Sequence, residues 1–261
     1  MSDIFLNSAI AILTLVTAVW LLSLVLRNSG IMDIFWGLGF IVVGGVTLAT
    51  RGSSGLATWL FYGLVLLWGL RLSIHILLRA IGQPEDARYA AWRREHGASW
   101  WWQSYLRVFL LQGAVMWVVA LPLMFGLAQH REELGAFQIA GAVLFVMGFF
   151  FEAIADAQLA SFKRNPDNKG KVLDHGLWAW TRHPNYFGET LLWWGFGFYA
   201  LSVAPFWTLI SPLLMTFLLV RISGVVMLDK LLAETKPGYA SYMKRTSGFI
   251  PLPPRKIKEN S

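Results

Sequence analysis

Seven apolar stretches, at about 4–26, 31–50, 56–80, 103–128, 136–162, 186–203 and 206–230, are each long enough, or nearly so, to cross a hydrocarbon core. Wherever such a chain meets lipid, its backbone N–H and C=O groups must be satisfied internally. Helices do this segment by segment. A content of 56% hydrophobic against 14% charged residues lies outside the soluble range and supports the same reading. The expected fold is all-α: a polytopic membrane protein with seven transmembrane helices in one bundle. No repeat, low-complexity run or linker divides residues 1–261, so a single domain is expected. Met1-Ser2-Asp3 offers no basic leader and no small-residue cleavage site follows, so the first stretch is expected to persist as a helix.

The distribution of basic residues sets an orientation. With seven alternating spans, Arg27, five arginines from Arg79 to Arg107, five basic residues from Lys163 to Arg182 and seven from Lys230 to Lys258 share one side. Only Arg51 and Arg131 fall on the other, and Arg71 and Arg221 lie within spans. Eighteen against two is a positive-inside pattern, which puts the N-terminus outside and the C-terminus in the cytoplasm. The net charge of +7 is therefore topological, and no nucleic-acid partner is expected.

The chain has no cysteine, which removes disulfides, thiolate nucleophiles and cysteine-held metals together. Its five histidines show no metal-binding spacing, so no metal site is expected. Of the 14 tryptophans, Trp20, Trp59, Trp100, Trp101 and Trp102 fall near expected span ends, where an aromatic belt is the ordinary arrangement.

Ionisable residues inside spans are costly and mark function or pairing. Asp33 opens the second stretch, Arg71 and His75 fall late in the third, and Glu152 and Asp156 late in the fifth. Asn185 and Glu189 open the sixth, and Arg221 lies in the later half of the seventh. Under the proposed topology all are in cytoplasmic halves. Arg71/His75, Glu152/Asp156 and Asn185/Glu189 are i,i+4 pairs, so each pair shares a helix face. A polar cavity open to the cytoplasm, with loops folded over it, accounts for this pattern; mutual structural pairing is the alternative. A rim of Lys163, Arg164, Lys169, Lys171 and Arg182 suits a phosphorylated ligand. Arg182-His183-Pro184 places proline where a helix begins, with free N–H groups beside an anion. Neither a GxGxxG nor a GxxxxGK[ST] string occurs, so any nucleotide must be held by loops and helix ends.

The string RHPNYFGE followed by LLWWGFG, containing Arg182, His183, Asn185, Tyr186 and Glu189, resembles the C-terminal region of the steroid 5-alpha-reductase family. It is more similar still to the bacterial membrane proteins of unknown function grouped beside that family. The likeness extends through FFEAIADAQLASFKRNPDNKGKVLDHGLWAWT, the segment QPEDARYAAWRR and the ending SGVVMLDKLLAETKPGYASYMKRTSGFIP, with residues 136–250 carrying most of it. The resemblance implies a seven-helix enzyme of the bacterial inner membrane that reduces an enone carbon–carbon double bond with NADPH. By position, Asp156, Lys163, Asn185 and Glu189 match the family's cofactor-contacting pattern, Arg71 and His75 match an Arg/Tyr pair, and Arg221 matches a late arginine. Glu152, Arg164, Lys171, Arg182, His183 and Tyr186 complete the expected cofactor set. The chain departs from the family at its Gln-Glu pair, for which Asp33 is a loose counterpart, and at Trp68, where the steroid enzymes carry tyrosine.

The implied chemistry needs an acid near the substrate carbonyl to stabilise an enolate. Asp33, His75 and Tyr89 are the candidates; a loop aromatic at the interface is the alternative role for Tyr89. RHPxYxG also occurs in isoprenylcysteine and phospholipid methyltransferases, so methyl transfer from S-adenosylmethionine is the competing expectation. A lipid-binding or transport protein is a third. The expected partners are a lipid-like small molecule and the bilayer, and either a monomer or a homo-oligomer fits.

Overall fold

The computed structural model describes residues 1–52, 55–222 and 224–255; Lys256 and Lys258, counted above in the basic tail, lie outside them. Among the described residues every regular element is helical, and an isolated β-bridge joins Thr181 to Ser247. α1 (Ser2–Leu26) buries Ile4, Ser8, Ile12, Val16, Val19 and Ser23, a stripe at spacings of three and four. Leu6, Leu13, Leu21 and Val25 are half exposed or more. Serines inside and leucines outside suit hydrocarbon, where aliphatic side chains gain nothing by burial and small residues allow close approach.

α2 (Ile31–Arg51) and α3 (Leu56–Ala80) show the same logic at their crossing. A Cβ on Gly37 would lie 2.3 Å from the Gly69 carbonyl oxygen, and one on Gly69 would lie 2.7 Å from that of Gly37. Only glycine permits this backbone contact. Next comes α4 (Ala87–His96), between Pro84 and Gly97, with Asp86 capping its N-terminus by accepting from Arg88 N at 2.9 Å.

Of the seven expected spans, α1, α2, α3, α8 (Ala136–Arg164) and the run Phe206–Thr235 are long and apolar enough to cross a membrane. The stretch expected at 103–128 is a jointed run instead: α5 (Trp100–Ser104), a π-helical segment Tyr105–Leu110, α6 (Leu111–Val119) and α7 (Leu121–Gly126). Pro122 in the first turn of α7 supplies no N–H and crowds the preceding turn, which makes the joint at Ala120. α9 (Pro184–Ala200) has 17 residues. At 1.5 Å per residue it reaches about 26 Å, just short of a ~30 Å core. The last long run contains α10 (Ile210–Phe217), a π-helical segment Leu218–Ile222 and α11 (Val225–Thr235), and α12 (Tyr239–Arg245) follows.

Packing divides the chain into two units. Unit 1 comprises Met1–Gln138 and Tyr199–Thr208; unit 2 comprises Ile139–Phe198 and Leu209–Ser261. In unit 1, Tyr199 stacks on Phe61 at 4.5 Å and its hydroxyl donates to the Ala57 carbonyl at 2.8 Å, which ties the returning segment to α3. In unit 2, α8 and α9 cross at Gly148 and Gly188. A Cβ on Gly188 would lie 2.5 Å from Glu152 N and 2.6 Å from the Gly148 carbonyl oxygen.

Candidate functional site

The α8–α9 crossing in unit 2 gathers four of the expected polar residues. Contact between the two backbones at Gly188 sets Glu152 against the opening turns of α9, and Glu152, Asp156 and Glu189 are all buried. Pro184 starts α9 with its φ already helical and no N–H to satisfy. In the next position, Asn185 donates from Nδ2 to Asp156 Oδ1 at 3.2 Å. A carboxylate facing a first turn also gains from the positive end of the helix dipole.

Beyond this buried group, Lys163 and Arg164 end α8, and Lys171 follows a turn whose Asn165 side chain accepts from Asp167 N at 3.0 Å. All three basic residues are exposed. The chain then returns to α8, where Trp178 Nε1 donates to the Ala155 carbonyl at 3.2 Å and Leu177 N to Gln158 Oε1 at 3.1 Å.

Arg182 and His183 meet a partner that the sequence reading did not select, Asp229 of α11. Arg182 donates from Nε to Asp229 Oδ1 at 3.1 Å and from Nη2 to Oδ2 at 2.6 Å. The Nη1 group of Arg182 donates to the Thr246 and Met243 carbonyls. His183 Nε2 lies 2.9 Å from Asp229 Oδ1, and the Tyr239 hydroxyl donates to the same oxygen at 2.7 Å. The imidazole also lies parallel to the Tyr186 ring, with centroids 5.6 Å apart. Burial works against the charge on Arg182, but Asp229 outweighs it and holds the guanidinium above its ordinary range. Burial first, and then Asp229, push the Tyr239 phenol up. Arg182 N donates to the Ser247 carbonyl at 2.9 Å, so the whole hub fastens the start of α9 to α11, α12 and the residues after them.

Asp229 was legible in one respect. It is an acid in the apolar run around Val225–Leu232, one residue inside the expected span end at 230, where an ionisable side chain is ordinary. Its partner Tyr239, and Thr246, whose carbonyl accepts from Arg182, carried no comparable signal.

Unit 1 brings together two of the three catalytic candidates. Tyr89 Oη donates to Asp33 Oδ1 at 3.3 Å, and Gln112 Nε2 of α6 donates to Tyr89 Oη at 3.2 Å. Tyr89 is buried, and burial first, then Asp33, push its phenol up. The third candidate, His75, and Arg71 lie one turn apart on α3, both half-buried. Arg221 is exposed in the π-helical segment of unit 2. Gln112 was not singled out in the sequence, where a lone amide in an apolar run gives no pairing signal.

The Asp33–Tyr89 pair has a firm base. Glu85 accepts from Ser29 N at 2.6 Å and from both Nε and Nη2 of Arg93 at 2.9 and 2.8 Å, pinning α4 to the connection between α1 and α2. Burial alone would raise the Glu85 carboxyl, yet the Arg93 fork and the Ser29 N–H hold it below the usual carboxylate range.

No solved structure matches this chain. A segment of 51 residues is 39% identical to the "Probable O-methyltransferase ustE" of Ustilaginoidea virens, covering 20% of this chain and 18% of that protein's length. The "Uncharacterized protein C594.04c" of Schizosaccharomyces pombe (strain 972 / ATCC 24843) is 24% identical over 271 residues, covering 89% of this chain and 75% of that protein. The family model described as "Protein of unknown function (DUF1295)" matches residues 19–246, most of the chain, and the chain belongs to that family.

Proposed function

We propose that this protein is a membrane-embedded, NADPH-dependent reductase of a carbon–carbon double bond conjugated to a ketone in a steroid-like or other lipid substrate. In this reading it is a seven-span protein of the bacterial inner membrane. Its N-terminus is outside, its C-terminus is cytoplasmic, and a polar chamber opens inward. The observation that carries the reading is the group of buried Glu152, Asp156 and Glu189 with half-buried Asn185 at the Gly148–Gly188 crossing, and the exposed Lys163, Arg164 and Lys171 in the chain between Asp156 and Asn185. The residues fit the cofactor chemically. Exposed ammonium and guanidinium groups suit phosphates, and buried carboxylates and an amide suit hydroxyls and a carboxamide.

When bound, NADPH supplies the hydride. The chain's own part is to hold the cofactor and to stabilise the developing enolate. Asp33 is assigned as the acid at the carbonyl, with Tyr89 as its hydrogen-bonded partner. His183 and Tyr186, in parallel contact, and Arg182, committed to Asp229, are assigned to shaping the first turn of α9. Arg71, His75 and Arg221 are assigned to cofactor and substrate contacts on the family resemblance.

Methyl transfer is the second reading, favoured by the 51-residue likeness to a protein named as an O-methyltransferase and by RHPNYFG. Tryptophan emission of the purified protein separates the two. The reductase reading expects quenching and a raised melting temperature with NADPH. A response to S-adenosylmethionine with none to millimolar NADPH overturns it in favour of the second. Asn185→Ala and Glu189→Gln should weaken NADPH binding while leaving the melting temperature nearly unchanged. Loss of both binding and stability would mark those residues as structural.

A further inference from the structure

We propose that the α4 end of unit 1 is a headgroup site for an anionic phospholipid of the surrounding bilayer, independent of the reductase reading. The inner face of α4 is already committed, through Tyr89 to Asp33 and through Arg93 and Glu85 to Ser29. Pairing inside the segment also neutralises Arg88 against Asp86, at 2.9 Å, and Arg93 against Glu85, at 2.8 Å. Arg79, Arg94 and Arg107 stay exposed on this end, with Glu95 as the neighbouring exposed acid.

Arg107 is the most telling of the three. It belongs to the π-helical segment of an apolar run, yet its Nη1 lies 2.7 Å from His96 Nε2 at the end of α4. A guanidinium that turns back from the apolar side reaches the headgroup level with most of its N–H groups available.

Aromatic and aliphatic neighbours complete an amphipathic boundary. Trp92, Trp101 and Trp102 are 39%, 56% and 46% exposed, and the Trp101 carbonyl is fixed by the Trp20 indole N–H at 2.8 Å. Leu77 and Leu78 just before Arg79, and Leu106 just before Arg107, are also exposed. Leucines beside arginines would be poorly placed in water. Against a phospholipid they match in register, with acyl chains on the leucines, indoles at the headgroup level and phosphate on the guanidinium forks. The uncompensated positive charge selects an anionic lipid, because the cationic group of a zwitterionic headgroup would be repelled.

The test is native mass spectrometry of the full chain in detergent with equimolar phosphatidylglycerol and phosphatidylcholine. Wild type should retain phosphatidylglycerol preferentially. Arg79→Gln, Arg94→Gln and Arg107→Gln should each lower that retention by about fivefold. Arg94→Gln, on the outer face of α4, should do so with an unchanged melting curve, which separates lost binding from lost fold. The pair Lys244→Gln/Arg255→Gln in unit 2 should leave retention unchanged. Equal retention of the two lipids, or the same loss in the Lys244/Arg255 pair, overturns the proposal. Displacement of the lipid by excess inorganic phosphate overturns it as well, since the site would then be one for a free anion.

Discussion

Two aspartates of this protein, the buried Asp229 and the half-buried Asp33, are held in opposite ways. Asp229 in unit 2 faces a bidentate arginine, an imidazole and a phenol, with three of the four contacts at 2.9 Å or less. Asp33 in unit 1 receives a hydroxyl at 3.3 Å, with an amide one step behind it. An acid clamped by a guanidinium fork, an imidazole and a phenol has its geometry set, which is what a fastening needs. An acid met by one neutral, longer donor is less tightly held, which suits the role proposed for it above. The donors and the lengths of their bonds separate the two acids.

Substitution can break that contrast. The largest effect is expected from Asp229→Ala, which leaves Arg182 and His183 facing each other without their common anion. Losing one partner of a buried pair costs about 3–5 kcal/mol. Thermal unfolding in detergent should register it, and a loss under about 1 kcal/mol would show the hub to be well solvated. Gly188→Ala comes next: its Cβ would fall 2.5 Å from Glu152 N, a backbone atom that yields only if α8 and α9 separate. About 1–3 kcal/mol is expected, together with weaker NADPH binding, and a full-strength binder would disconnect the helix crossing from the proposed cofactor grip.

Asp33→Asn should be gentler on the fold. An amide oxygen still accepts from Tyr89, so stability should stay within about 1 kcal/mol of wild type while the proposed reduction is lost. A large drop in melting temperature would make Asp33 a fastening like Asp229 and remove the contrast. The smallest effect concerns acid. Glu85 has a depressed pKa in the folded chain, so its stabilisation is fully present above the ordinary value of 4.5 and is lost as pH falls below that value and through the folded one. Melting temperature measured from neutral pH downward should fall more steeply in wild type than in Glu85→Gln; parallel curves would show the Ser29–Glu85–Arg93 link to be dispensable.

Much of this was readable from residue order. Hydropathy located α1, α2, α3 and α8 within a few residues, because a helix facing lipid needs apolar side chains on nearly every face. The i,i+4 spacing put Glu152 with Asp156 and Asn185 with Glu189 on shared faces, and Asp156 does meet Asn185. The joints were harder. Pro122 was visible, but π-helical segments at Tyr105–Leu110 and Leu218–Ile222 arise from packing and leave no periodic mark. The Asp229 hub was harder still, since 46 residues separate its two halves.

Residue order alone determined that this chain is helical and made for a membrane, and which polar side chains share a face, because those properties depend on local period and on transfer into hydrocarbon. Which acids meet which donors was decided by the tertiary structure. Arg182 was as good a phosphate ligand as Lys163 on paper, until folding brought Asp229 within 2.6 Å of one and left the other exposed. Hydrogen bonding acts over about 3 Å, so its partners exist only once distant segments have been packed side by side.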